Sequence, residues 1–334
     1  MENNSSTRLS VLKDSFGRSF PYLRLSITDV CNFRCSYCLP DGYQCSGKPS
    51  FLNGDEIKRV VNAFAAVGVH KIRLTGGEPT VRKDFSDIAR RVSSHPSITQ
   101  LAFTTNGYRL RDHAQEWRDA GLTHVNISVD SLNAGRFHAI TGHDRLAEVL
   151  EGVDEALDAG FKQVKINVVL LKGVNDHELD DYLAWAKNAP VSIRFIELMQ
   201  TGDNLDYFRK YHLPAETISE KLEKAGWITK PRTIEAGPAQ VYSHPDYHGS
   251  IGLIAPYSKD FCTGCNRLRV TATGDLRLCL FGSQGIALRH LLQDDAQQPL
   301  LTQLIHDQLA FKCSSHFLAY GDTGITPHLA SVGG

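Results

Sequence analysis

The chain of 334 residues has no apolar run long enough to cross a bilayer and no excess of either charge, its 36 basic and 37 acidic side chains leaving a formal net charge of -1. The first absence excludes a membrane-spanning helix. The second removes any general attraction for nucleic acid or an anionic membrane, so an anionic substrate has to be gripped by cations placed locally. Residues 1–7 are polar and show neither the apolar segment of a secretory signal nor the Arg-rich, amphipathic character of a transit peptide. Low-complexity segments are missing, as are internal repeats beyond a β/α rhythm, and the 14 histidines show no metal-ligand spacing. Eight cysteines without an export signal point to a reducing cytoplasm, where they serve as metal ligands or reactive thiols rather than disulfides.

What is present is a globular composition, 42% hydrophobic and 22% charged, enough to bury a large core. From about residue 22, short β-branched runs alternate with amphipathic stretches. LRLSI, KIRLT, LAFTT, HVNISVD, QVKINVVL and VSIRFIE read as six strands, separated by helix patterns over 55–67, 85–93, 110–120, 146–159 and 179–187. The rhythm predicts a parallel sheet, either a partial barrel or an open doubly wound sheet, with its chemistry at the C-terminal ends of the strands. After about Thr201 the rhythm fails: a helix pattern over 215–225 gives way to a Gly- and Pro-rich stretch. The expected division is an N-terminal segment 1–20, a β/α core 21–200 and an appended region 201–334.

Two groups of cysteines carry chemistry. Cys31, Cys35 and Cys38 stand at C-x3-C-x2-C spacing directly after the first strand; Cys262, Cys265 and Cys279 stand at C-x2-C-x13-C. Thr273-Gly274-Asp275 predicts a hairpin turn that brings Cys279 back to its partners. Each triplet offers three thiols, whereas a structural zinc site wants four ligands and a four-iron cluster held by three keeps one iron open to a small molecule. Cys45 could complete the first triplet, and Cys313 or a histidine the second, which leaves a noncatalytic two-zinc scaffold arithmetically open. Arginines argue against it: Arg24 precedes the first triplet, and Arg267 and Arg269 lie inside the second. Alternating with Leu268 on a predicted strand, these two share one face, and guanidinium groups suit phosphate or a nucleobase edge.

The run from Cys31 to Cys38 resembles the motif of radical S-adenosylmethionine (SAM) enzymes, and Thr75-Gly76-Gly77-Glu78-Pro79 is similar to their SAM-binding GGEP segment. SITDVCNFRCSYC, KIRLTGGEPT, FCTGCNRLRVTATGDLRLCLF and the terminal Gly333-Gly334, in that order, resemble the GTP 3′,8-cyclase family of molybdenum cofactor biosynthesis, from about Gly17 to the end. The resemblance implies an α/β fold: a radical SAM partial (βα)6 TIM-type barrel capped by a C-terminal region that carries a second iron–sulfur cluster. It implies two [4Fe-4S] clusters, one on Cys31, Cys35 and Cys38 whose open iron chelates SAM, the other on Cys262, Cys265 and Cys279 whose open iron binds the guanine base. In that family SAM yields methionine and a 5′-deoxyadenosyl radical, which takes the 3′ hydrogen of GTP so that the ribose radical attacks C8. The product is (8S)-3′,8-cyclo-7,8-dihydroguanosine 5′-triphosphate.

Residue by residue, the resemblance implies that Tyr37 packs near the SAM adenine, that Gly77 lets the backbone approach the SAM amino group, and that Ser128, Asn167 and Met199 contact SAM. Glu78 is expected to rigidify its loop. Arg24, Arg73, Thr104 and Lys165 from the barrel and Arg267, Leu268 and Arg269 from the cap would bind GTP, with Lys71 and Arg194 as further contacts. Gly333 and Gly334 would enter the active site as a tail without side chains. Cys45 and Cys313 receive no ligand role. The partners implied are GTP, a reducing electron donor and the next enzyme of the pathway, with a homodimer allowed and neither nucleic acid nor membrane. A peptide-modifying radical SAM enzyme with an auxiliary cluster is the alternative, and it predicts no triphosphate cations and no diglycine tail.

Overall fold

The computed structural model describes residues 12–44, 47, 50–233 and 236–333, so Cys45 and Gly334 lie outside the described residues. The β/α part runs β1 (Tyr22–Thr28), α1 (Gly54–Ala66), β2 (Lys71–Gly76), α2 (Phe85–Ser93), β3 (Gln100–Thr105), α3 (Leu110–Asp119), β4 (His124–Ser128), α4 (Ala134–Thr141), α5 (Leu146–Asp158), β5 (Gln163–Leu170), α6 (Leu179–Asn188) and β6 (Ser192–Glu197). It continues as α7 (Leu205–Tyr211), α8 (Glu216–Lys224), β7 (Ile228–Thr229), β8 (Gln240–Ser243), β9 (Ser250–Ile254), β10 (Arg267–Val270), β11 (Asp275–Arg277), β12 (Ile286–Ala287) and α9 (Gln298–Gln308).

All six expected strands are present, parallel and in sequence order. The C-terminal region does more than cap them. β10 pairs parallel with β1, and β9 parallel with β6, so one sheet runs β12-β11-β10-β1-β2-β3-β4-β5-β6-β9-β8-β7. The change of rhythm near residue 201 therefore marks no break in the sheet. Strands lie about 4.8 Å apart, so a flat sheet would separate β10 from β6 by roughly 29 Å. Yet Arg267 on β10 and Arg194 on β6 line one cavity. The sheet curls into a partial barrel that stays open between its edge strands, which settles the choice that periodicity left open.

The strand sequences explain the interior. A parallel strand covered on both faces is usually apolar throughout. Here apolar residues alternate with polar ones: Leu23, Leu25 and Ile27 on β1, and Ile72 and Leu74 on β2, are buried in the hydrophobic core. Tyr22 and Arg24, and Lys71 and Arg73, face the other way and line the lumen. The lumen is thus polar by sequence design.

Helix boundaries follow local chemistry. Asn53 caps α1 in a capping box with Glu56, whose carboxylate also accepts from Nε of Arg289 at 2.8 Å and so ties α1 to the C-terminal region. The short helix α4 was not expected from the sequence, although Asn133 caps its start by accepting from the Arg136 amide at 3.0 Å and Gly142, at φ 74°, ends it. The predicted hairpin is present: β10 and β11 pair antiparallel, Val270 opposite Leu276, around Gly274 at φ 94°.

Candidate active site

The cysteine loop leaves the C-terminal end of β1 and is fastened from two sides. The amides of Arg34 and Ser36 donate to the carbonyls of Thr141 and Ile140 at the end of α4, at 3.0 and 2.8 Å, and the hydroxyls of Ser36 and Tyr207 on α7 lie 2.9 Å apart. Cys31, Cys35 and Cys38 then line a cavity together with Tyr37, Gly77, Asp130, Ser128, Asn167 and Met199, so every residue expected to contact SAM is brought to one place. Tyr37 donates to Asp130 Oδ2 at 2.8 Å, and Asp130 Oδ1 accepts from the Val169 amide at 2.8 Å. Burial raises the Asp130 carboxyl to about 6.

Gly77 has a reason beyond the expected one. A Cβ there would stand 2.4 Å from the Val30 carbonyl oxygen and 2.6 Å from that of Asp29, so the glycine lets the segment after β2 cross the backbone of the cysteine loop. Glu78 is buried, and its carboxylate accepts from the Thr80 amide at 3.1 Å, the Thr80 and Thr105 hydroxyls at 2.7 and 2.9 Å, and the Asn106 amide at 2.6 Å. It staples the end of β2 to the end of β3, as rigidification requires.

A second cavity adjoins the first along Thr104, Asn167, Ile196 and Met199. Cys262, Cys265 and Cys279 line it, with Arg24, Arg73, Thr104, Lys165, Arg267 and Arg269 and the lower-ranked Lys71 and Arg194. Leu268 departs from expectation: its side chain is wholly buried in the hydrophobic core, because alternation on β10 turns it away from the two arginines. Only its backbone can take part.

The register of this wall is the unusual feature. Arg269, Arg24 and Arg73 are direct partners across β10, β1 and β2. Like charges side by side on a sheet are destabilising, and their burial adds to the cost. Arg73 donates from Nε to the Tyr22 hydroxyl at 2.5 Å and from Nη1 to Thr104 Oγ1 at 3.3 Å. Among the described residues, Nε of Arg194, Nη1 of Arg267 and Nε of Arg269 are buried without a hydrogen-bond partner. Burial and then neighbouring cations drive Lys165 down to about 5. Such a wall is waiting for a polyanion.

Among the described residues no three of His, Cys, Asp or Glu are gathered closely enough to hold a single metal ion. Three thiols lining one cavity match the donor set of a four-iron cluster, which takes thiolates at three irons and leaves the fourth open. Burial raises Cys31 to about 11 and Cys38 to about 12, and it raises Cys35 well above the usual thiol range. These thiolates persist only when a metal shares their charge. Cys265 differs: burial raises it, but Lys312 and Arg267 outweigh that and bring it down to about 7. Both donor sets fit iron–sulfur clusters. Cys313 is exposed and stands outside this cavity.

The two cavities enclose about 1100 Å3 each, part of it open to solvent, and share Thr104, Asn167, Ile196 and Met199. They form one tunnel, with the first cysteine triplet at one end and the second at the other. The C-terminal tail enters it. Leu329 and Ala330 line the first cavity, and Gly333 packs on Ser26 and Thr75, its carbonyl accepting from Arg24 at 2.6 Å.

Sequence reasoning missed several residues here. Asp130, Tyr22 and Asn126 line the tunnel, and the last two were legible as polar positions alternating with apolar ones on β1 and β4. Arg18, held by Asp14 Oδ2 at 2.6 Å, donates to the carbonyls of Cys262, Cys313 and Ser314 at 3.0, 2.6 and 2.7 Å and so anchors the second thiol loop. His316 lines the same cavity between Phe261 and Phe281. No sequence signal marks Arg18 or His316.

A partial parallel barrel with three thiols on the loop after its first strand defines a radical SAM protein, and residues 25–186 match the Radical SAM superfamily. Residues 191–318 match Molybdenum Cofactor Synthesis C. A GTP 3′,8-cyclase of Aeromonas hydrophila subsp. hydrophila is 56% identical over 331 residues, covering 98% of this chain and 97% of the relative. The chain belongs to the GTP 3′,8-cyclase family. Among solved structures, Streptococcus suis SuiB bound to S-adenosylmethionine superposes with a TM-score of 0.59 at 12% identity, over 92% of this chain and 75% of that one. SuiB bound to precursor peptide SuiA gives 0.58 at 12% identity over 92% and 74%. At such identity the likeness is one of fold.

Proposed function

We propose that the tunnel converts GTP to (8S)-3′,8-cyclo-7,8-dihydroguanosine 5′-triphosphate, the first step of molybdenum cofactor biosynthesis. The observation that carries this reading is the in-register wall of Arg269, Arg24 and Arg73, placed in the same cavity as the second thiol triplet. With two [4Fe-4S] clusters and SAM bound, the cofactors supply a carbon radical able to take hydrogen from an unactivated C–H bond.

The chain supplies binding, orientation and enclosure. Cys31, Cys35 and Cys38 hold one cluster, and Tyr37, Gly77, Ser128, Asn167 and Met199 surround SAM. Asp130 fixes the Tyr37 ring through its hydroxyl. Arg24, Arg73, Lys165, Arg267 and Arg269 bind the triphosphate, Thr104 donates its hydroxyl there, and Lys71 and Arg194 are further contacts. Cys262, Cys265 and Cys279 would hold the second cluster, whose open iron would take the guanine base. Enclosure within the barrel keeps water and stray hydrogen donors from the radical. Gly333 places backbone rather than side chain beside the phosphate-binding cations.

The reading extends to a one-electron donor, to a following enzyme that takes the product and to a reducing cytoplasmic setting, and it allows a homodimer. Among the described residues no helix is long and apolar enough to cross a membrane. The test is anaerobic reconstitution with iron and sulfide, followed by reaction with SAM, a reductant and either GTP or ATP. About eight irons per chain are expected from two cubane clusters. Formation of 5′-deoxyadenosine should be faster with GTP. Zinc in place of iron, or equal rates with both nucleotides, overturns the proposal.

A further inference from the structure

Asn126 is a polar side chain with no structural employment. It stands near the middle of β4, 6% exposed, facing the second cavity, and its Oδ1 is buried without a hydrogen-bond partner. Its cross-strand neighbours are Thr104 on β3 and Lys165 on β5. Leaving such an acceptor unpaired is costly, so a group absent from the chain itself is expected to meet it.

The place of Asn126 says which group. Ser128, two residues further along the same face, lines the SAM cavity, whereas Asn126 lines the cationic one. At about 3.3 Å per residue their Cα atoms are roughly 6.6 Å apart, so β4 crosses the junction of the two cavities between them. Resting on the cyclase reading above, the substrate's phosphates lie on the arginine wall. Its base lies near Cys262, Cys265 and Cys279, which come from the C-terminal region. Its sugar has to present C3′ to the SAM cavity, and only the junction satisfies all three demands.

The chemistry of the side chain agrees. A carbonyl oxygen repels phosphate oxygens but accepts from a hydroxyl. A hydroxyl both donates and accepts, so it suits the amide in either of its two flip orientations. Thr104, the nearest polar neighbour on β3, is engaged by Arg73 at 3.3 Å. We propose that Asn126 hydrogen-bonds a ribose hydroxyl of the substrate, fixing the height of the sugar between the two cavities and selecting for a nucleotide that carries that hydroxyl.

The experiment is anaerobic equilibrium binding of GTP, 2′-deoxyGTP and 3′-deoxyGTP to the reconstituted holoenzyme and to its Asn126→Ala variant. Wild type should bind one of the two deoxynucleotides about tenfold more weakly than GTP, the effect of losing one hydrogen bond and leaving a buried acceptor unpaired. The variant should bind GTP about tenfold more weakly and should no longer distinguish it from that deoxynucleotide. It should also release more 5′-deoxyadenosine per cyclised product, because a loosely held sugar is struck less productively. Asn126→Ser, whose hydroxyl is too short to reach, takes the place of the alanine variant if that chain does not fold. Equal affinity of wild type for all three nucleotides, or a full preference retained in the variant, overturns the proposal. Failure of the wild-type enzyme to bind GTP at all would instead overturn the cyclase reading, and this proposal with it.

Discussion

The carbonyl oxygen of Gly333 accepts a hydrogen bond of 2.6 Å from Nη2 of Arg24, 309 residues earlier in the chain. The end of the protein is thereby tied to the first strand of its barrel, at the cations proposed to meet the triphosphate. Gly333 sits at φ 66°, and a Cβ there would lie 2.2 Å from Thr75 Cγ2. Gly333→Ala therefore combines a left-handed backbone cost of about 1–2 kcal/mol with a collision, and it should push the tail away from Arg24. We expect GTP turnover to fall tenfold or more while the iron content stays the same. Unchanged turnover would show that the tail has no part in the reaction.

Arg267→Ala removes one cation from the wall without touching the first cysteine loop. Hydrogen bonds to charged groups contribute about 1.5–3 kcal/mol, so the dissociation constant for GTP should rise roughly 10- to 150-fold. SAM binding and the spectrum of the first cluster should remain those of wild type. Loss of the first cluster in this variant would make Arg267 a folding residue rather than a ligand.

GTP binding should take up protons. Burial, aided by Arg194, Arg73 and Lys71, holds Lys165 down to about 5. Burial raises the Tyr22 phenol, but Arg73, Arg24 and Lys71 outweigh it and bring it down to about 7. A bound polyanion favours the protonated form of both groups and raises both values. Affinity is then greatest below the free-state values and falls as pH rises through them toward the bound-state values. Calorimetric titrations in two buffers of different ionisation heat, between pH 6 and 8.5, read this directly. Tyr22→Phe should flatten the part of the fall above pH 7, and proton release on binding would contradict the assignment.

Glu78→Gln exchanges a carboxylate that accepts four hydrogen bonds for an amide that must point donors at donors. One unsatisfied buried group costs about 1–3 kcal/mol, and urea unfolding of the apoprotein should show a loss of that size. SAM affinity should fall with it, because the staple holds the loop that crosses the cysteine loop. If stability is unchanged, the stapling role is mistaken.

The residues that sequence reasoning found and those it missed differ in kind. Cys31, Cys35, Cys38 and Gly77 lie in contiguous motifs whose spacing is itself the chemistry. Arg24, Arg73 and Lys165 were found because a charge at an alternating position on a strand has few explanations. Leu268 was carried along with its neighbours, and alternation along β10 puts its side chain in the core. Arg18 was missed because its partners, the carbonyls of Cys262, Cys313 and Ser314, are backbone atoms and leave no trace in residue identity. The helix α4 was missed because it is short, yet its last carbonyls hold the cysteine loop.

By itself the sequence determined the β/α order, the two thiol triplets and the alternation that puts arginines on one face of their strands, because each depends on spacing along a single segment. Only the tertiary structure decided that β9 and β10 extend the same sheet and that Arg269, Arg24 and Arg73 stand in register. It alone joined the two cavities through Thr104, Asn167, Ile196 and Met199 and returned the tail to Arg24. These relationships pair segments distant in the chain, and they are fixed by strand pairing and sheet curvature rather than by any local pattern.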